Sequence, residues 1–194
     1  MAFEFIKTGI EGLYEVVPTV FGDKRGFFLE SYSRRDFEAA GIPAEFVQDN
    51  ISSSSKGVLR GLHFQKQHSQ AKLVSVISGR VYDVAVDLRK GSTSFGSHYG
   101  VVLDGERHNA FFIPAGFAHG FCVMSDEAVF SYKCTDFYHP EDEGGLMWND
   151  PEIGIDWEKY LEGEPPLLSE KDKKHPKFDR DASYFDIHAH WMGK

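Results

Sequence analysis

The stretch Val81-Tyr82-Asp83-Val84-Ala85-Val86-Asp87-Leu88 decides the fold class of this chain of 194 residues. Its odd and even positions face opposite sides of a strand, as a period of two requires. Both faces are half apolar, which predicts a strand inside a two-sheet sandwich whose second face lines a pocket. Turn residues bound the stretch at Ser78-Gly79 and at Lys90-Gly91.

Aromatic and β-branched runs like this one recur along the chain, with turn residues such as Asp104-Gly105 between them. This rhythm predicts an all-β barrel or jelly roll. A few short peripheral helices are also expected, one over residues 34–40 with Ser33 as its N-cap and one that starts at Ser169. The other predicted strands cover residues 12–21, 26–32, 58–64, 72–77, 98–103, 110–113, 117–124 and 128–137.

Length and composition predict one catalytic domain over residues 1–178. Residues 179–194 form a C-terminal tail without an assigned role. His188-x-His190 could chelate a metal there, but a frayed or packed end is the favoured interpretation.

The net charge of −9, without a block of Lys and Arg, argues against nucleic acid as a partner. No run is long enough for a membrane span, and Glu4 and Lys7 interrupt any signal-peptide core. Cys122 and Cys134 lack CxxC spacing, so we expect core thiols in a reducing compartment. The expected location is the cytoplasm.

Two spaced signatures refine the fold. Gly57 is followed after five residues by His63, and the second signature is Pro114-x-Gly116-x-x-His119. In order and inside an all-β chain, they resemble the two motifs of cupins. They predict a jelly roll of the double-stranded β-helix type.

The first signature lacks the rest of the usual cupin metal set. Metal-binding cupins continue it as His-x-His and then Glu, but here Gln65 replaces the second His, and Ser69 and Gln70 stand where the Glu is expected. His63 and His119 alone are too few for a catalytic metal. We therefore predict no metal and no cofactor, with the histidines available for proton transfer.

Longer sequence motifs resemble those of the dTDP-4-dehydrorhamnose 3,5-epimerase family over roughly residues 5–178. They keep the order of the family, which makes chance resemblance improbable. The motifs are Val20-Phe21-Gly22-Asp23-Lys24-Arg25-Gly26-Phe27-Phe28-Leu29-Glu30, Phe46-Val47-Gln48-Asp49-Asn50, Gly57-Val58-Leu59-Arg60-Gly61-Leu62-His63-Phe64, Gly79-x-Val81-x-Asp83-Val84-Ala85-Val86-Asp87-Leu88-Arg89, Ile113-Pro114-x-Gly116-Phe117-Ala118-His119-Gly120-Phe121 and Trp148-Asn149-Asp150-Pro151.

The resemblance implies a cofactor-independent isomerase that acts on a dTDP-linked 4-keto-6-deoxy sugar. Such an enzyme converts dTDP-4-dehydro-6-deoxy-α-D-glucose to dTDP-4-dehydro-β-L-rhamnose, in dTDP-L-rhamnose biosynthesis, by exchanging protons at C3 and C5. Each proton lies beside the C4 ketone, so its removal gives an enolate. The site then needs a base, a cation at the ketone oxygen and an acid on the opposite face. A homodimer is also implied.

Roles are carried over by position in the matching motifs. His63 is expected to be the base, Asp172 to orient it, Lys72 to stabilise the enolate oxygen and Tyr132 to be the acid. Arg25, Arg60 and Lys171 are expected on the nucleotide and sugar side of the pocket. Further expected ligand contacts are Glu30, Gln48, Asp49, Asn50, His119 and Glu143, with Phe21 and Tyr138 as possible stacking surfaces for the thymine.

Each residue alone has a structural interpretation. His63 could be a hydrogen-bonded strand residue, Asp172 a helix-start acid and Tyr132 a packed tyrosine. Their joint occurrence favours catalysis. Three other functions stay open: an epimerase of a single centre (3- or 5-) in another sugar nucleotide, a metal-dependent cupin such as a dioxygenase, and a non-catalytic sugar-nucleotide binder.

Overall fold

Two antiparallel sheets form the body of the computed structural model, which describes residues 2–187. Its strands are β1 (Phe3–Lys7), β2 (Tyr14–Pro18), β3 (Phe21–Asp23), β4 (Gly26–Phe28), β5 (Gln48–Ser55), β6 (Leu59–Gln65), β7 (Lys72–Ser78), β8 (Arg80–Asp87), β9 (Arg89–Lys90), β10 (His98–Asp104), β11 (Ala110–Ile113), β12 (Phe117–Val123), β13 (Glu127–Cys134), β14 (Glu143–Gly145) and β15 (Phe185–Asp186). The larger sheet has the order β1-β2-β11-β7-β13-β5 and the smaller β10-β8-β12-β6-β14. From β5 to β8 and from β10 to β14, consecutive strands alternate between the sheets. The predicted all-β jelly roll is confirmed.

Apolar side chains from both sheets meet in one core. Val74 and Phe130 come from the larger sheet, and Val81, Ala85 and Phe121 come from the smaller one. All five are buried. Burial of a side chain such as Val or Phe is worth about 1.5–3 kcal/mol, so this core holds the sheets together.

The other face of β8 differs from the prediction. Val84 and Val86 do not line a pocket but pack in a second core with Trp157, Phe178 and Phe185. These three residues come from the chain that follows the last strand of the two sheets. The half-apolar second face of the strand is therefore explained by a covering segment.

The C-terminal segment packs on the barrel as far as it is described. Phe185 is buried, and β15 pairs in parallel with β9. The His188-x-His190 pair lies outside the described residues. A domain boundary at residue 178 stays a prediction.

Helices are short, as expected. The first, α1 (Arg34–Ala39), follows Ser33, although the Ser33 hydroxyl makes no capping hydrogen bond. The second predicted helix is a single 3-10 turn at Asp172–Lys174. Another helix, α2 (Glu158–Leu161), was not predicted. Within residues 2–187, no helix is both long and apolar enough to cross a membrane.

The sequence pattern does not predict β1 or β5. The second of these is an edge strand that pairs with β13 alone in its sheet. Because one side of an edge strand faces solvent, a polar run such as Gln48–Ser55 is tolerated there. Both cysteines are free and buried, as expected.

Candidate active site

A cavity of about 660 Å³ opens between the sheets, near the edge strands β5 and β14. Its volume is typical of small-molecule sites in proteins. Both sheets contribute to its walls, together with residues that precede the 3-10 turn. The lining residues are Gln48, Asn50, Ser52, Val58, Leu59, Arg60, His63, Phe64, Gln65, Gln70, Lys72, His119, Gly120, Phe121, Phe130, Tyr132, Cys134, Tyr138, Glu143, Leu167, Leu168, Ser169 and Asp172.

Strand periodicity explains much of this lining. Phe130, Tyr132 and Cys134 are alternate residues of β13 and all face the cavity, and the same spacing selects residues 48, 50 and 52 in β5. The predicted acid Tyr132 therefore projects from the larger sheet, whereas His63 projects from the smaller one.

A glycine allows the two cavity histidines to lie side by side. His63 in β6 is the cross-strand partner of His119 in β12, and the register shifts just beyond this pair. Gly61 has φ +123°, and a Cβ there would lie 2.5 Å from the Cα of Gly120. Only glycine accepts both the conformation and this close approach of the strands.

His63 and Asp172 form a hydrogen-bonded pair at the cavity wall. The distance from His63 Nε2 to Asp172 Oδ1 is 2.5 Å, and the Ser169 hydroxyl donates to Asp172 Oδ2 at 2.7 Å. Burial alone would raise the pKa of Asp172, but the hydrogen bonds from His63 and Ser169 together lower it. Asp172 is therefore a carboxylate at neutral pH and holds the proton of His63 on Nε2.

His175 lies behind this pair and was not singled out in the sequence. Its ring packs edge-on against His63 at a centroid distance of 5.4 Å, and its Nε2 is 3.8 Å from Asp172 Oδ1. No group among residues 2–187 forms a hydrogen bond with this buried nitrogen. Burial lowers the pKa of His175, so its ring is neutral at neutral pH.

Lys72 and Tyr132 line the cavity on the side of the larger sheet, and their polar groups have no partner among the described residues. Within the described part of the chain, neither the Lys72 ammonium nor the Tyr132 hydroxyl makes a hydrogen bond or an ion pair. Burial lowers the pKa of Lys72 and raises that of Tyr132. Both groups are available to a bound molecule, one to an anionic oxygen and the other as a proton donor.

A second His–Asp pair lies beside the first. His119 Nε2 is 3.0 Å from both carboxylate oxygens of Asp83, which is completely buried in β8. Burial raises the pKa of Asp83, although His119 opposes this shift. Asp83 was not predicted as a site residue, but its odd position in the alternating stretch places it on the side that faces the other sheet.

The profile of the dTDP-4-dehydrorhamnose 3,5-epimerase family matches residues 7–180. The chain belongs to this family. It is 55% identical over 169 residues to the dTDP-4-dehydrorhamnose 3,5-epimerase of Pseudomonas aeruginosa, which covers 87% of this chain and 91% of that protein.

Two solved epimerase structures are similar to this chain over most of its length. The dTDP-6-deoxy-D-glucose-3,5-epimerase of Legionella pneumophila, in complex with dTDP-4-keto-L-rhamnose, is 50% identical with a TM-score of 0.86, covering 90% of this chain and 92% of that one. A 3'-monoepimerase from Streptomyces bikiniensis, in complex with dTDP-quinovose, is 33% identical with a TM-score of 0.80, covering 87% and 85%. The same fold thus carries a double and a single epimerase.

Other polar residues expected from the family resemblance lie near the predicted proton-transfer groups. Tyr138 donates its hydroxyl proton to Glu143 Oε2 at 2.8 Å, and Glu143 also forms an ion pair with Lys171. Burial would raise the pKa of Glu143, but Lys171 and Tyr138 lower it. Three further expected residues, Gln48, Asn50 and Arg60, line the cavity.

Three residues expected at the family ligand site do not line the cavity of this chain: Phe21, Arg25 and Glu30. The first two belong to the β3–β4 hairpin, in which Phe21 is 61% exposed and Arg25 pairs with Asp23 at 2.6 Å. Glu30 follows the hairpin and is exposed. Because the hairpin is a separate two-stranded sheet, the cavity wall does not include it.

Two other expected contacts are displaced for local reasons. Asp49 alternates with cavity-facing residues of β5, so it points away and pairs with Lys133 at 2.8 Å. Lys171 does not line the cavity either, but it reaches the wall through Glu143. Direct ligand contact by either residue stays a prediction.

Gln65, which replaces the second histidine of metal-binding cupins, has a structural task. Its Nε2 donates to the carbonyl oxygens of His68 and Phe137 at 2.8 and 3.1 Å, and its Oε1 accepts from the His139 amide at 2.6 Å. The side chain therefore joins two loops beside the cavity. Gln70, which stands where the cupin glutamate is expected, lines the cavity and donates to the Asp136 carbonyl at 2.8 Å.

Proposed function

We propose that this chain converts dTDP-4-dehydro-6-deoxy-α-D-glucose to dTDP-4-dehydro-β-L-rhamnose, as a cytoplasmic enzyme of dTDP-L-rhamnose biosynthesis. The observation that supports the proposal is that two side chains able to transfer protons lie on opposing sheets. His63 and Tyr132 face one cavity from two sides, and Lys72 lies on the Tyr132 side. Inversion of a carbon needs proton removal from one face and return on the other.

The first step is the removal of a carbon-bound proton by His63. Because Nε2 donates to Asp172, Nδ1 is the nitrogen that accepts the proton. The electron pair of the broken C–H bond moves onto the C4 oxygen, and the ammonium group of Lys72 stabilises this enolate. The Asp172 carboxylate stabilises the imidazolium that forms.

The second step returns a proton from Tyr132 to the opposite face of the same carbon. The enolate electron pair forms the new C–H bond, and the C4 ketone is restored. Solvent then reprotonates Tyr132 and takes the proton from His63. The raised pKa of Tyr132 keeps its phenol protonated until the enolate needs the proton. The same two groups act at C3 and at C5.

The diphosphate requires cations near the cavity. Arg60 lines the cavity, and its guanidinium donates to the Ser54 hydroxyl at 3.0 Å. The remaining N–H groups of the guanidinium can donate to phosphate oxygens. We further propose that the chain forms a homodimer in which Phe21 and Arg25 of the partner subunit complete the site. Three exposed phenylalanines of the hairpin, Phe21, Phe27 and Phe28, give it an apolar surface that a second copy would cover.

Mixed dimers test this completion. Arg25→Ala and His63→Ala chains are each expected to be inactive alone. If each cavity combines its own His63 with the partner's Arg25, random mixing restores one intact site per hybrid dimer, or about a quarter of all sites. Mixtures that remain inactive, although hybrids form, would contradict a shared site.

The decisive test of the reaction is proton NMR of dTDP-4-dehydro-6-deoxy-glucose with the protein in deuterium oxide and a chelator. Deuterium at both C3 and C5, with a rhamnose-configured product after reduction, is expected. Exchange at one carbon identifies the single-centre epimerase, and activity that the chelator abolishes identifies a metal-dependent cupin. Binding of dTDP without any exchange identifies a binding protein.

A further inference from the structure

Three side chains of types that bind metal ions meet beside the cavity. His63, Asp172 and His175 each offer one ligand atom, and these atoms all lie within 4.8 Å of one another. Two of the distances are 2.5 Å, from His63 Nε2 to Asp172 Oδ1, and 3.8 Å, from His175 Nε2 to the same oxygen. Tetrahedral zinc has ligands at about 2.0–2.1 Å and thus roughly 3.3 Å apart, so modest ring movements would complete the set.

The buried nitrogen of His175 points to a ligand. Its side chain is only 10% exposed, yet Nε2 has no hydrogen-bond partner within residues 2–187. Burying a polar atom without a partner is destabilising, so an unpaired nitrogen beside two other potential ligands needs an explanation. The His175 ring also packs closely on Gly145, where a Cβ would lie 2.4 Å from it.

The surroundings match a zinc site in two further respects. The Ser169 hydroxyl donates to Asp172 Oδ2 and orients the carboxylate, as second hydrogen bonds to metal ligands commonly do. His63 and Asp172 also line the cavity, so a fourth position would be open to water or substrate. Two imidazoles and one carboxylate with an open position is a known zinc arrangement.

We propose that Zn²⁺ binds to His63, Asp172 and His175 and switches the proton-transfer site off. This site differs from that of metal-binding cupins because it does not use His119 or the Gln65 position. Zinc on Nε2 of a neutral imidazole leaves the ring proton on Nδ1, so His63 cannot accept a proton from substrate. The inhibition rests on the proposed function, whereas zinc binding does not.

Binding is measured by titrating the metal-free chain with Zn²⁺ in a calorimeter and with Co²⁺ in a spectrophotometer. Both titrations use a His188→Asn/His190→Asn background, because the terminal His-x-His pair could chelate zinc. We expect one ion per chain, with the visible bands of tetrahedral cobalt. His175→Gln should weaken binding by about 30-fold or more, since one of three ligands is lost.

His68→Asn is the matched control. His68 stacks on His139 at 4.0 Å and contacts Asp142, so this region is the competing place for a surface zinc ion. Unchanged affinity in His175→Gln, or weaker binding in His68→Asn, overturns the proposal. X-ray absorption of the zinc-loaded background protein does not depend on whether His175→Gln or His68→Asn folds. A spectrum with fewer than two imidazole ligands would also overturn the proposal.

Activity separates the two proposals. Zinc should inhibit the background protein, and inhibition of His175→Gln, relative to its own zinc-free rate, should require about 30-fold more zinc. An active enzyme that binds no zinc overturns the zinc site alone. A chain that binds zinc as described but exchanges no substrate proton overturns the proposed reaction alone.

Discussion

Two His–Asp pairs stand next to each other in this cavity, and they differ in how they are held. The carboxylate of the His63–Asp172 pair comes from a 3-10 turn outside the sheets, and its histidine side chain is 30% exposed. The His119–Asp83 pair lies within the smaller sheet, with side chains 10% and 0% exposed. Both histidines line the cavity, but the first pair is more exposed and the carboxylate of the second is completely buried.

The environments shift the two acids in opposite directions. The pKa of Asp172 is lowered because hydrogen bonds from His63 and Ser169 outweigh its burial, whereas burial raises the pKa of Asp83. The same two residue types thus favour the ionised form of the carboxyl group in one pair and disfavour it in the other. The greater exposure of His63 favours it over His119 as the proposed base.

The largest expected effect separates the two histidines. His63→Ala should abolish deuterium exchange at both carbons, a loss of about 10²–10⁴-fold or more, because it removes the proposed proton acceptor. His119→Asn should retain exchange at a reduced rate. NMR exchange rates measure both, with circular dichroism as the check on folding. Comparable losses for both variants would show that the pairs act as one unit.

The acids provide a second comparison. Asp172→Asn removes the charge that stabilises the His63 imidazolium and should lower kcat by about 100-fold or more, with little change in dTDP affinity. Asp83→Asn should act mainly on folding, because its carboxylate is enclosed. The split between kcat and the melting temperature is the measurement. A larger kcat loss for Asp83→Asn would transfer the orienting role to the second pair.

Tyr132→Phe should have a smaller effect, and it tests whether the proposed acid lies opposite the His63–Asp172 pair. Without the phenol, His63 still removes and returns protons on its own face, so exchange should persist while the inverted product falls by about 10-fold or more. The ratio of exchange to inversion, taken from one NMR time course, reports this. Loss of both together would mean that Tyr132, and not His63, begins the reaction.

The sequence was sufficient to predict the fold, and the four residues to which it assigns proton transfer lie together. Alternation in residues 81–88 predicted the sandwich. The family resemblance predicted four site residues that line one cavity, namely His63, Lys72, Tyr132 and Asp172. Local period and matching motifs are both properties of short segments. Both can therefore be recognised from the sequence without knowledge of tertiary contacts.

What the sequence could not supply depends on contacts between distant segments. Asp83 and His175 become neighbours of the two histidines only through the sheet register and the C-terminal turn. A family motif also does not show which side of β5 a residue faces, and Asp49 points away from the cavity toward Lys133. The covering of the outer face of β8 required residues that follow it by about 70 positions or more.

The smallest expected effect is the pH dependence of stability, which has opposite signs for the two acids. The lowered pKa of Asp172 gives stability above the unfolded pKa of about 3.9, and this stability is lost as the pH falls through the folded pKa. The raised pKa of Asp83 makes its ionised form a cost to folding, which grows as the pH rises from about 3.9 through the folded pKa. From pH 3 to 7, the stability of the unsubstituted chain should therefore rise relative to Asp172→Asn and fall relative to Asp83→Asn. Urea unfolding at each pH measures both differences, and parallel slopes would show that the two pairs share one environment after all.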